Sequence, residues 1–202
     1  MSGNDHPQQQ QQTQTTAQQS NEQPQAGEQL ILPLYTRQFN AAVQMILIDE
    51  GPMSDDALGT DPDGGLTKYG WSQTQNPDID VANLTRAQAI QLYYTRMWLY
   101  NSCDKMSWPV NLMLFDSSVN QGPECAARLL QASVGVIEDG DIGPITLAAV
   151  NNQASQVLTA RFTAKRAVNY TTDLEWSMDG EGWMYRLAHN CLAANLQQFG
   201  AS

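Results

Sequence analysis

Apolar positions fall into separate clusters at helical spacing, and the stretches between them are rich in Gly, Pro, Asp and Asn. Phe39, Val43, Ile46 and Leu47 recur every three or four residues, which predicts a helix that Thr36 caps and Gly51-Pro52 stops. Residues 51–80 predict loop or short hairpin, with TKYGW, from Thr67 to Trp71, as the strand-like piece. LTRAQAIQLYYTRMW opens on a capping box, Thr85 with Gln88, and puts Ala89, Leu92, Tyr93 and Met97 on one side. WPVNLMLFDSSVNQG predicts a mostly buried helix that starts near Pro109 and ends at Gly122. PECAARLLQASVGV, PITLAAVNN, SQVLTARFTAKRAVNY and GWMYRLAHNCLAANLQQF continue the pattern, with DGDIG as a tight loop after the first of them. About seven helices around one loop-rich or small β-hairpin lobe make a mainly α domain.

Residues 1–30 break this pattern. They are mostly Gln, Thr, Ser, Asn and Pro, too poor in apolar side chains to offset the entropy of ordering, so a disordered tail is expected there. The tail has neither the basic start nor the apolar core of a secretory signal. No later stretch reaches the roughly 18 uncharged apolar residues of a membrane span. A soluble chain made in the cytoplasm, with no stable membrane insertion, is the expectation. The 202 residues carry a net charge of −11 with scattered Lys and Arg, which argues against nucleic acid as a partner. The three cysteines, Cys103, Cys125 and Cys191, are odd in number and widely spaced, so free thiols are expected rather than disulfides or a metal knuckle.

Candidate chemistry gathers in IDEGPMSDDALGTDPDGGLTKYGW, from Ile48 to Trp71. A carboxyl at a helix C-terminus meets the negative end of the macrodipole, and partial burial adds to the penalty on its charge. Both effects raise the pKa of Glu50 and suit it to general-acid cleavage of a glycosidic bond, although a solvated last-turn glutamate has the same position. The loop then offers Asp55, Asp56, Asp61 and Asp63, which are either turn formers or a source of the second carboxylate that glycosidases use. DPDGG lacks the ligand ladder and the closing glutamate of a calcium loop, so no metal is expected. Tyr69 and Trp71 suit either a sugar-stacking wall or the core. Trp176 and Trp183 are expected to pack the last helix, His189 to be structural, and Gly140 and Gly143 to serve backbone geometry.

LIDEG, the Asp-rich loop, DGGLTKYGWS, DVANLTRAQAIQLYYTRMW and FDSSVNQGPECAARLLQASVGVIEDGDIGPITLAAV occur in an order that resembles glycoside hydrolase family 108, the N-acetylmuramidases. The resemblance runs from about Phe39 to Asn195, its second half resembling the family's predicted peptidoglycan-binding segment. It implies a lysozyme-like helical domain with residues 31–108 as the catalytic segment and residues 109–200 as a helical segment packed with it. It implies Glu50, Asp61 and Thr67 as the catalytic set, with Asp56 and Asp63 as alternatives for the second carboxylate in a loop that is longer than the family's. Peptidoglycan is the implied substrate and partner, and no metal or organic cofactor is implied. The implied setting is a phage endolysin that waits in the host cytoplasm for a holin and acts on the wall in the periplasm, or a virion-associated lysin. A lytic transglycosylase, which needs only the glutamate, and a non-catalytic wall-binding or virion structural protein are the alternatives.

Overall fold

The computed structural model describes residues 35–49, 59–60 and 65–196. The expected tail, Glu50 and the aspartates from Asp55 to Asp63 lie outside the described residues. Among these, seven α-helices dominate and three short antiparallel strands form a small lobe, so the mainly α architecture with a β-hairpin lobe holds.

Helix α1, Arg37–Asp49, starts as its sequence predicts, with the Phe39 amide donating to the Thr36 hydroxyl at 3.2 Å. It buries Phe39, Ala42, Val43, Met45, Ile46 and Leu47. Strands β1 (Gly59–Thr60), β2 (Leu66–Lys68) and β3 (Trp71–Ser72) follow, paired in that order. TKYGW is therefore not one strand. Lys68 pairs with Trp71, and the two residues between them, Tyr69 (φ 52°) and Gly70 (φ 76°), form the left-handed turn that suits the twist of a hairpin.

Helix α2, Arg86–Tyr93, carries the capping box expected of Thr85 and Gln88. Its continuation, Tyr94–Leu99, is a π-helix, in which each turn takes an extra residue. The phase slips accordingly. Within the π turn Trp98 is buried while Met97 is only half-buried; before it Ala89 and Tyr93 are buried as the spacing predicts, joined by Ile90 in place of the half-buried Leu92. A 3-10 turn at Cys103–Lys105 leads to Pro109 and to α3, Val110–Gln121. Every residue of α3 from Val110 to Ser118 is buried, which makes it the central helix. Gln38 of α1 and Asn111 of α3 are hydrogen bonded at 2.7 Å, and Trp98 meets Phe39 and Phe115 edge to face while those two rings tilt against each other around the same seam.

Helices α4 (Pro123–Val134), α5 (Pro144–Asn151), α6 (Ser155–Tyr170) and α7 (Trp176–Leu196) complete the bundle. Proline opens both α4 and α5, where its missing amide costs nothing. The loop between them closes on Gln131, whose side-chain oxygen accepts from the Gly140 amide at 2.9 Å, with Gly140 at φ 84°. The last helix begins six residues before the expected Gly182. Gly180 lies inside it because a Cβ there would stand 2.7 Å from the Trp176 ring. Trp183 stacks on Tyr170 with ring centroids 5.2 Å apart, so both tryptophans serve the packing of this helix.

Candidate functional site

The β lobe is held to the bundle by aromatic residues. Tyr93 is buried, and its hydroxyl donates to the Tyr69 carbonyl at 2.8 Å, fixing the hairpin turn onto α2. Trp71, 2% exposed, packs against the Tyr93 ring at 5.0 Å, and the Arg96 guanidinium lies 6.0 Å from the Trp71 ring. Arg96 also pairs with Asp78 at 2.5 Å, tying the loop after β3 to the π-helix. A Cβ at Gly65 would lie 2.2 Å from the Thr74 hydroxyl, so any larger residue there requires the Thr74 side chain to shift. The second glycine of DPDGG thus lies against the Thr74 side chain.

Thr67 lies mid-strand in β2, paired with Gly59 on one side and Ser72 on the other. Its hydroxyl is buried and has no hydrogen-bond partner among the described residues. A buried hydroxyl without a partner is costly, and a ligand or ordered water is its usual complement. Asp61 and Asp63 fall in the chain segment that joins β1 to β2, outside the described residues. Glu50 follows the last residue of α1 and is outside them too. Tyr69 is half-buried and offers its carbonyl to Tyr93, while Trp71 gives most of its surface to the core.

A cavity of about 400 Å³ opens between the β lobe and the junction of α3 with α4. Trp71, Asn76, Tyr93, Met97, Asn120 and Gln121 are among its lining residues. Gly122, at φ 86° and ψ 149°, makes the sharp passage from α3 into α4 at its edge. The side chains of this junction are set from behind. Asp116, fully buried on α3, accepts from Arg166 of α6 and from Arg186 of α7, each at 2.7 Å. Arg166 donates also to Gln121 and to the Tyr170 hydroxyl, both at 2.9 Å, and Tyr170 donates to the Asn120 oxygen at 2.5 Å. Gln121 in turn donates to Asn169 at 2.7 Å. Burial opposes charge on Asp116, but the two guanidiniums outweigh it and hold the carboxyl below the usual range.

Sequence reasoning did not find this network. Its one signal was Asp116 itself, a carboxylate alone in the apolar run LMLFDSSV, which has to be paired if buried. His189 stacks on Tyr185 on α7, consistent with a structural side chain, and no cluster of metal-ligating residues occurs among the described residues. Cys103, Cys125 and Cys191 are free thiols, and burial pushes the Cys103 thiol well up. Among the described residues no helix is long and apolar enough to cross a membrane.

Comparison with known proteins adds to this geometry. No curated protein matches the chain. Among solved structures, SagA of Brucella abortus superposes with a TM-score of 0.71 at 27% identity, covering 79% of this chain and 94% of that one. The family model for glycosyl hydrolase 108 matches residues 43–122. That segment begins in α1, contains Glu50, Asp61, Thr67, Tyr69 and Trp71, and closes on the α3–α4 junction at the cavity. Over residues 43–122, therefore, this chain is similar to the glycosyl hydrolase 108 family.

Proposed function

We propose that the protein is an N-acetylmuramidase that hydrolyses the β-1,4 bond between N-acetylmuramic acid and N-acetylglucosamine in peptidoglycan. The observation that carries this reading is the glycosyl hydrolase 108 match, which spans Glu50, the loop aspartates and Thr67 in one segment. Glu50 follows directly on α1 in the chain. A carboxyl at that end of a helix keeps its proton to higher pH, because the last carbonyls disfavour its charge. In this reading Glu50 protonates the leaving glycosidic oxygen. Asp61, or Asp56 or Asp63 in its place, stabilises the oxocarbenium-like transition state or activates water.

The Thr67 hydroxyl supports a hydrolytic outcome. It is buried without a partner among the described residues, which suits a group that holds the attacking water rather than one that braces the fold. A mechanism that closes an anhydro sugar has no use for that water. In the cell we assign the enzyme to the wall, reached from the host cytoplasm or carried in a virion. Mass spectrometry of muropeptides released from purified peptidoglycan tests the reading. Products that end in reducing N-acetylmuramic acid are expected; 1,6-anhydro ends, or reducing N-acetylglucosamine ends, overturn it.

A further inference from the structure

Two amide side chains on different walls of the cavity are each fixed at one end and, among the described residues, unpartnered at the other. Asn76, on the loop after β3, donates its Nδ2 to the Ser72 carbonyl at 3.0 Å. A carbonyl can only accept, so this bond settles the orientation of the amide and leaves Oδ1 as the free end. Asn120, at the end of α3, is oriented from the opposite direction. Arg166 can only donate, and the Tyr170 hydroxyl accepts from it at 2.9 Å. That hydroxyl then gives its own proton to Asn120 Oδ1 at 2.5 Å, which leaves Nδ2 as the free end. Burial raises the Tyr170 pKa, so the hydroxyl keeps the proton on which this relay depends. Both residues are only half-buried, and neither free end is enclosed by protein.

The cavity thus presents one fixed acceptor and one fixed donor above the partly apolar surface of Trp71, Tyr93 and Met97. None of its described lining residues carries a charge. An acetamido group has one N–H, one carbonyl and one methyl, the complement of that set. The volume of about 400 Å³ lies within the roughly 300–1,000 Å³ of small-molecule sites. We propose that this cavity is a subsite for an uncharged N-acetylhexosamine unit, with Asn76 Oδ1 accepting from the acetamido N–H and Asn120 Nδ2 donating to its carbonyl.

The neutral lining suits N-acetylglucosamine, the unit of the glycan that carries neither a lactyl group nor a peptide. Tyr170 is a positioning residue in this scheme, acting through Asn120. The C-terminal helices therefore contribute to sugar recognition by orienting a cleft amide, although their residues lie beyond the family match. The inference rests on the glycan-hydrolase reading for its ligand class, but its test does not use catalysis.

The test is titration calorimetry of the full chain with two neutral β-1,4 trisaccharides, tri-N-acetylchitotriose and cellotriose, which differ only at C2. Wild type is expected to prefer the acetylated sugar by about tenfold or more. Asn120→Asp keeps the bond from Tyr170 but loses the donor, and Asn76→Ala loses the acceptor; each is expected to cut the preference about tenfold. Tyr170→Phe frees the Asn120 amide to turn and is expected to lower the preference by several-fold, a ratio that a loss of stability alone does not move. Equal affinity of wild type for the two sugars overturns the proposal. So does an undiminished preference in folded Asn120→Asp and Asn76→Ala. If wild type shows the preference and the variants lose it while peptidoglycan is not cleaved, the subsite stands and the hydrolase reading falls.

Discussion

Replacing Asp116 with asparagine removes a charge and almost no volume from the centre of the bundle. Asp116 and Arg166 are both wholly buried and bonded at 2.7 Å, and Arg186 on the other oxygen is only 12% exposed. Asparagine leaves the Arg166 guanidinium buried without a counter-charge. Breaking such a pair from one side costs about 3–5 kcal/mol, because the desolvation of the remaining ion is no longer offset. In a domain of this size each kcal/mol moves the midpoint by about 2–4 °C, so Asp116→Asn should melt roughly 6–20 °C below wild type at pH 7.

The pH dependence carries a sign that can be checked. The Asp116 carboxyl is depressed in the folded state, since the two guanidiniums outweigh the effect of burial. Its contribution is therefore complete above the unfolded value of about 3.9 and is lost as pH falls toward the folded value. For this group the wild-type midpoint should hold level from pH 7 to 5 and drop below about pH 4, while the gap to Asp116→Asn narrows. Circular dichroism melts across that range supply both readings. A folded Asp116→Asn protein that melts within about 2 °C of wild type at pH 7 would show that the triad does not hold α3, α6 and α7 together.

Three further outcomes are expected. Thr67→Val should leave the midpoint unchanged or slightly raised, because a buried hydroxyl without a partner is replaced by a methyl group, while wall-lytic activity falls at least about tenfold; full activity would remove Thr67 from the catalytic set. Asp61→Asn should reduce lysis far more than Asp55→Asn in a turbidity assay, and a reversed order would move the second carboxylate along the loop. Removal of residues 1–28 should leave both the melting temperature and the hydrolysis of soluble wall fragments nearly unchanged, since that Gln-rich stretch has little apolar surface to bury; a drop of several degrees in calorimetry would contradict this.

Local signals carried much of the fold. The Thr36 cap, the Thr85–Gln88 capping box and the prolines at the starts of α4 and α5 are each decided within a few residues, and each stands where the sequence places it. The π-helix after Tyr93 was not legible, because an inserted residue changes the phase without any marker in composition. The hairpin turn was missed because tyrosine seldom takes a positive φ, and here the Tyr93 hydroxyl holds the Tyr69 carbonyl in place. The cleft was legible only in part. Glu50, Asp61 and Thr67 lie in one segment that resembles a family. The orientation of Asn120 instead depends on Tyr170 and Arg166 some fifty residues away, and no local pattern encodes a bond of that span.

The central claim is that Glu50 is the general acid, and digestion of purified peptidoglycan by wild type and Glu50→Gln tests it most directly. Glutamine keeps the shape of the side chain but cannot deliver the proton, and the loss of a general acid costs about a hundredfold to ten-thousandfold in rate. With the two proteins matched in melting temperature, the account predicts release of reducing muropeptides by wild type and a loss of that size in Glu50→Gln. Near-wild-type release by a folded Glu50→Gln protein would contradict it.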